Sequence, residues 1–169
     1  MGEKIYGLLG RKLGHSWSVP IHKALGRDSY RLIELEPEEL GPFLAQDNIG
    51  GLNVTIPYKR DVMPYCDVID PAARDIGSVN TLVRREDGRL YGYNTDIHGF
   101  LYMARRAKID FAGKKVMVLG SGGASLTVQA ATRSAGAREV VVISRTGQNN
   151  YGNLERHDDA EILVNATPM

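Results

Sequence analysis

Four apolar residues, Val116-Met117-Val118-Leu119, run directly into Gly120-Ser121-Gly122-Gly123-Ala124, and an apolar segment of helical character follows at once. No other stretch restricts the fold as tightly, because a buried-type strand must here turn into a helix over small residues. The first glycine permits the tight turn. The second lets the backbone approach a pyrophosphate, whose charge then rests at the helix N-terminus. Further strands are expected at Val140–Ser144 and Ile162–Asn165, with a helix over Ala124–Ala135 and a loop with weak helix before the last strand. Strands separated by crossover segments imply a parallel sheet. An ordinary strand-to-helix connection is the plain alternative to a nucleotide site.

The N-terminal half also alternates strand and helix. Strands are expected at Ile5–Leu9, Tyr30–Glu34 and Asn53–Ile56, and helices at Ser18–Leu25, Pro37–Ala45 and Ala72–Ile76. Pro57 cannot continue strand pairing, so Lys59–Met63 is expected to open a helix. Val79–Arg84 and Arg89–Tyr93 flank Asp87-Gly88, a hairpin signal. A helix over Asp96–Ala107 follows, and Phe111-Ala112-Gly113-Lys114 breaks the chain before the glycine-rich unit. The pattern predicts two α/β domains, residues 1–96 and 97–169. The second holds one βαβαβ half of a doubly wound domain, which would leave its first strand at an edge and makes the chain a piece of a longer protein.

Several function classes are disfavoured. A formal net charge of +1 gives no field to gather a polyanion, which argues against nucleic-acid binding. Cys66 stands alone and His15, His22, His98 and His157 lie far apart, so neither a disulfide framework nor a metal site is expected. The start, from Met1-Gly2 through Gly10, reads as a short strand and not a secretory or myristoylation signal. No apolar run is long enough to span a bilayer. A cytoplasmic, reduced protein is the default.

The residues that could do chemistry sit at strand ends. Lys59 follows Asn53-Val54-Thr55-Ile56-Pro57-Tyr58, and Asp96 closes Gly92-Tyr93-Asn94-Thr95-Asp96. Beside a nicotinamide the pair has clear work to do, since carbonyl reduction needs a proton at oxygen, the reverse needs a base, and a carboxylate can orient the lysine. The plainer alternatives are a solvated lysine and a helix-capping aspartate. Ser16 and Ser18 put two hydroxyls on alternate residues ahead of a helix, suited to a carboxylate or vicinal hydroxyls; the plainer reading is Ser18 alone as a helix cap. Trp17 between them reads as a packing residue or pocket lid. Asn53, Thr55, Asn80 and Asn94 add neutral hydrogen-bonding groups that suit a small polyhydroxylated ligand. At the end of the second strand of the glycine-rich unit stands Ser144-Arg145-Thr146 where an NAD enzyme usually has an acid. The planar fork of Arg145 suits a 2′-phosphate, predicting NADP over NAD.

Taken in order, His15-Ser16-Trp17-Ser18, Asn53 through Lys59, Gly77-Ser78-Val79-Asn80-Thr81, Gly92 through Phe100, Gly120 through Ala124 and Asn165-Ala166-Thr167-Pro168 resemble the shikimate dehydrogenase family over the whole chain. The resemblance implies a three-layer α/β substrate domain followed by a partial Rossmann-type NADP-binding domain. It implies reversible NADP-linked interconversion of shikimate and 3-dehydroshikimate in aromatic amino-acid biosynthesis, and leaves a homodimer open. By the same resemblance Ser16 and Ser18 hold the substrate carboxylate, Thr55, Asn80 and Asp96 bind ring hydroxyls, and Lys59 carries the catalytic proton with Asp96 as partner. Gly120, Ser121, Gly122, Gly123, Ala124, Ser144, Arg145 and Thr146 would bind NADP, with Asn165, Ala166 and Thr167 near the nicotinamide. The chain departs from the family at Val19, which separates Ser18 from Pro20, and at Ser144, where Asn is usual. No second basic residue closely follows Arg145, and the Gly-Met pair usual after Pro168 is absent. An NAD-preferring quinate/shikimate dehydrogenase and an inactive ligand-binding fragment are the alternatives.

Overall fold

A computed structural model describes residues 3–14 and 16–167; His15 and Pro168 of the sequence motifs, with Met1, Gly2 and Met169, lie outside the described residues. The chain divides into two compact units, Met1–Asn94 and Thr95–Met169.

The first unit runs β1 (Ile5–Gly10), α1 (Ser18–Ala24), β2 (Tyr30–Glu34), a 3₁₀ turn (Pro37–Glu39), α2 (Leu40–Leu44), β3 (Ile49–Val54), a second 3₁₀ turn (Met63–Tyr65), β4 (Val68–Ile69), α3 (Pro71–Ile76), β5 (Thr81–Arg84) and β6 (Leu90–Tyr93). The strands form one sheet in the order β2-β1-β3-β5-β6-β4. β1 is parallel to both β2 and β3, whereas β5 is antiparallel to β3 and β6. Alternation along the strands loads both faces. Leu9, Leu52, Val54, Leu82 and Leu90 face Leu40 and Leu44 of α2 and Ala73 of α3, while Leu8 and Tyr30 face Val19 of α1 and Leu13 of the segment before it. The result is three layers. Leu9, Leu52 and Leu82 are all but inaccessible, and each such side chain contributes about 1.5–3 kcal/mol by burial.

Local chemistry sets the ends of α3 and the hairpin. Asp70 Oδ1 accepts from the Ala72 N–H at 3.0 Å, Pro71 opens the helix, and Gly77 closes it at φ +68°. Asp87 Oδ1 accepts from the Arg89 N–H at 3.0 Å in the turn joining β5 to β6.

Three expectations need correction. The third strand is Ile49–Val54, not Asn53–Ile56: its Gly50 packs under the Tyr6 ring, where a Cβ would meet the ring at 2.5 Å. Ile56, the last residue of the expected strand, is 68% exposed, and the Ile56–Pro57 peptide is cis. Lys59–Met63 forms turns rather than a helix, and Pro64, which has no N–H to donate, sits in the 3₁₀ turn that follows. Trp17 is 77% exposed, which removes the packing half of its reading and leaves that of a pocket lid untouched.

The second unit runs α4 (Asp96–Arg106), β7 (Lys115–Leu119), α5 (Gly123–Ser134), β8 (Glu139–Ile143), a 3₁₀ turn (Leu154–His157) and β9 (Ile162–Asn165). Its strands are all parallel, in the order β8-β7-β9. β7 is therefore central and not the expected edge strand. Handedness explains the placement. α5, between β7 and β8, packs Val128 on Val116 and Val118; the return segment between β8 and β9 packs Leu154 and Ala160 on Met117, Val141 and Ile143, the opposite face. Right-handed crossovers on opposite faces must step in opposite directions, which carries β9 to the far side of β7. The strand order thus reverses at β7, and such a switch point opens a crevice at the carboxyl ends of the strands.

Candidate active site

Register brings three of the sequence motifs to one edge of the second unit. Leu119 pairs with Ile143 on one side and with Asn165 on the other, so the three strands end level. Gly120–Ala124, Ser144–Thr146 and Asn165–Thr167 all leave from that edge. The Gly120 N–H donates to Ile143 O and the Ala166 N–H to Leu119 O, both at 2.8 Å. Gly120 has φ +104°, and a Cβ there would lie 3.0 Å from Ala166 O, so conformation and space both demand glycine. Gly122 differs. It is extended at φ −79°, and a Cβ would meet nothing within 4 Å. The turn is therefore tight on its Ala166 side and open at Gly122, just where α5 presents its first N–H groups. That geometry fits a dinucleotide pyrophosphate.

The flanking segments are held by their own side chains. Asn165 Oδ1 accepts from the Thr167 N–H at 3.0 Å and from Thr167 Oγ1 at 2.6 Å. Beyond β8 the Ser144 N–H donates to Asn149 O at 3.1 Å, leaving Arg145 and Thr146 exposed at the bend. Asn150 Oδ1 accepts from the Gly152 N–H, its Nδ2 donates to Gly147 O, and Asn153 Oδ1 accepts from the Asn150 N–H. His157 Nε2 lies 3.0 Å from Asn149 Oδ1. Sequence reasoning missed this asparagine scaffold, although Asn149, Asn150 and Asn153 beside Gly147 and Gly152 are turn-forming residues.

In the first unit the segments leaving β1 and β3 are tied together. The Thr55 N–H donates to Leu9 O at 2.9 Å, and Gly10 has no room for a Cβ, which would sit 2.9 Å from Thr55 Cγ2. The Val54 N–H donates to Asn80 O at 2.7 Å and the Val79 N–H to Lys59 O at 2.8 Å, which sets Thr55, Lys59 and Asn80 on neighbouring backbone. Tyr58 anchors the turn: it is 1% exposed and donates from its hydroxyl to Leu35 O at 2.5 Å. Lys59 next to it is half-buried. Asn80 is buried, and its Oδ1 accepts from Thr81 Oγ1 at 3.0 Å; Asn94, also buried, donates from Nδ2 to Ser78 O at 2.9 Å.

Ser18 does not act as the cap that its plainer reading anticipates. Ser18 is the first residue of α1, and it is Ser16 Oγ that accepts from the Ser18 N–H at 3.1 Å. Asp96 likewise is the first helical residue of α4, with Thr95 at the cap position and no side-chain cap bond; its charge suits the positive end of the helix. It belongs to the second unit, whereas Ser16, Ser18, Thr55, Lys59 and Asn80 belong to the first. Among the described residues no group of three His, Cys, Asp or Glu side chains could hold a metal, and no helix is long and apolar enough to cross a membrane.

Residues 8–82 match the family model described as shikimate dehydrogenase substrate binding domain. The shikimate dehydrogenase (NADP(+)) of Clostridium beijerinckii is 38% identical over 185 aligned residues, an alignment covering 98% of this chain and 68% of that protein. Among solved structures, shikimate dehydrogenase 1 from Peptoclostridium difficile superposes with a TM-score of 0.89 at 36% identity, covering 98% of this chain and 68% of the other. Shikimate 5-dehydrogenase from Thermus thermophilus, in complex with NADP(H) and shikimate, gives 0.80 at 34% identity over 97% of this chain and 68% of that one.

Proposed function

The chain belongs to the shikimate dehydrogenase family, and from that premise we propose that it is an NADP-dependent oxidoreductase interconverting 3-dehydroshikimate and shikimate, in the cytoplasmic synthesis of aromatic amino acids. The observation that carries the reading is the level edge of β8-β7-β9, where a glycine turn open at Gly122 meets Ser144–Thr146 and Asn165–Thr167. In this reading residues 1–96 bind substrate and residues 97–169 bind cofactor.

Each residue then has a role. The N–H groups after Gly120, Ser121 and Gly122, with Gly123 and Ala124 at the start of α5, receive the pyrophosphate. Arg145 takes the 2′-phosphate, and Ser144 places no carboxylate against it. Ser16 and Ser18 hold the substrate carboxylate, while Thr55, Asn80 and Asp96 orient ring hydroxyls. Bound NADPH supplies the hydride that reduces the ring carbonyl. Lys59 Nζ gives its proton to the carbonyl oxygen as that oxygen becomes a hydroxyl, and takes it back in the oxidative direction. Asp96 partners Lys59 and keeps its charge oriented.

Ligand-observed NMR on this chain tests the assignment, with shikimate, quinate, NADP and NAD as separate ligands and Ser16→Ala as control. Shikimate binding that is lost in Ser16→Ala, with NADP preferred to NAD, is the expected result. Quinate binding without shikimate binding would overturn the substrate, and equal binding of the two nucleotides would overturn the cofactor. Sedimentation of the same samples reads whether the chain is a homodimer.

A further inference from the structure

Glu34 ends β2, and together with the two residues after it braces both segments of the first unit's candidate site. The Leu35 N–H donates to Gly10 O at 3.1 Å, and Leu35 O accepts the Tyr58 hydroxyl at 2.5 Å, which anchors the turn that bears Lys59. The two glutamates reach instead to the segment after β1. Glu36 pairs with Arg11 at 2.7 Å, but both side chains are about half exposed, so solvent screens that contact. Glu34 differs. Its Oε1 accepts the Leu13 N–H at 2.5 Å, a charge-assisted bond to backbone. Leu13 is 5% exposed, in a cluster with Leu8, Tyr30 and Val19, so Glu34 supplies the partner that a buried N–H needs.

Leu13 is thereby held from two sides, by its side chain and by its N–H, which limits the directions its carbonyl can take. Leu13 O accepts the Ser16 N–H at 3.1 Å, and Ser16 Oγ accepts the Ser18 N–H, also at 3.1 Å. A hydroxyl that accepts still has its proton to give. The bond from Ser18 therefore fixes the Ser16 rotamer and leaves the Ser16 proton for a carboxylate. We propose that Glu34 is a positioning residue of the substrate site, its carboxylate holding Leu13 so that Leu13 O seats Ser16 with the hydroxyl ready to donate to a small polyhydroxylated acid. The inference rests on the assignment of Ser16 to the substrate carboxylate. A glutamate that merely closed the end of β2 would change stability and leave affinity alone.

Glu34→Ala removes the acceptor, while Glu34→Gln keeps an oxygen that can take the same N–H. Shikimate affinity, measured by titration calorimetry on the chain, should weaken about three- to tenfold in Glu34→Ala, the range for one hydrogen bond, and return most of the way in Glu34→Gln. NADP affinity should change in neither. In the ligand-free protein, exchange protection of the Leu13 and Ser16 amides should fall in Glu34→Ala. On a Ser16→Ala background the further loss on adding Glu34→Ala should shrink, because coupled residues are not additive. Wild-type shikimate affinity in a folded Glu34→Ala protein, an equal loss in Glu34→Gln, or full additivity with Ser16→Ala overturns the inference even where the melting temperature falls. Failure of the wild-type chain to bind shikimate overturns instead the substrate assignment beneath it, so the two failures are told apart.

Discussion

At the level of single residues the assignment stands on Lys59 and Arg145. Lys59 sits half-buried on backbone that is bonded to Val79 and anchored by the buried Tyr58, so the turn holds its shape without the amine. Lys59→Ala should therefore lower turnover by about 10²- to 10⁴-fold, the range for one general acid, and leave shikimate binding measurable; near-normal turnover would remove the proton-transfer role. Arg145 is exposed on a loop framed by asparagines, so Arg145→Ala should leave the fold alone and weaken NADP selectively. Equal losses for NADP and NAD would show that the guanidinium does not read the 2′-phosphate. Both residues were legible because their neighbours are local: a proline and a strand end before Lys59, and the end of an apolar run before Arg145. The Tyr30 hydrogen bond was not, since its partner Asn53 lies on another strand and a tyrosine at a strand start carries no sign that its hydroxyl is committed.

At the level of elements, the β7–α5 turn separates what a glycine does for the fold from what it does for a ligand. Gly120→Ala forces a Cβ onto a φ of +104° and against Ala166 O, and should cost about 1–3 kcal/mol in denaturant unfolding. Gly122→Ala meets open space at an ordinary φ, so stability should be unchanged while NADP affinity falls, because the methyl stands where the pyrophosphate approaches. A Gly122→Ala protein with full NADP affinity would move the phosphate away from this turn. The strand, turn and helix were readable because the signal is contiguous. The start of β3 was not, since Gly50 and Gly51 look like breakers until Tyr6 is seen to occupy the space a Gly50 side chain would need. Nor was the central position of β7, which depends on which face the segment after β8 crosses.

For the whole molecule, the two units should respond differently to acid. The second unit closes its amino-terminal edge with charge. Lys115 on β7 is 5% exposed, and its Nζ lies 2.5 Å from Asp159 Oδ1 and 3.5 Å from Glu139 Oε2. Lys114 pairs with Glu161 at 2.7 Å, and Arg138 adds further positive charge nearby. The hydrogen bond from Lys115 holds Asp159 below its ordinary 3.8, and that from Lys114 holds Glu161 below 4.5. A carboxylate depressed in the folded state stabilises it above the ordinary pKa, and that contribution disappears as pH falls through the lowered value. The Asp159 hydrogen bond raises Lys115 above 10.5, so its share is complete below 10.5 and is lost as pH rises past the raised value. Stability from this cluster is thus flat through neutrality and fades in strong acid and strong base. Asp159 and Glu161 are exposed enough for salt to screen much of the effect, but Lys115 is not, and protonating Asp159 strips a buried ammonium of its nearest partner. In the first unit Asp87 is also held low, by the Arg89 N–H and the Tyr91 hydroxyl, but at an exposed hairpin away from β1 and β3. Hydrogen exchange, corrected for intrinsic rates, reads the units separately. Protection of the Val116 and Val118 amides relative to Leu8 and Leu9 should fall as pH drops below the ordinary 4.5 and 3.8 of the two carboxylates and through their lowered values. Asp159→Asn should lower that ratio already at neutral pH and flatten its acid dependence. Parallel loss in both units would instead mean that they unfold as one body, with the cluster under β7 making no separate contribution.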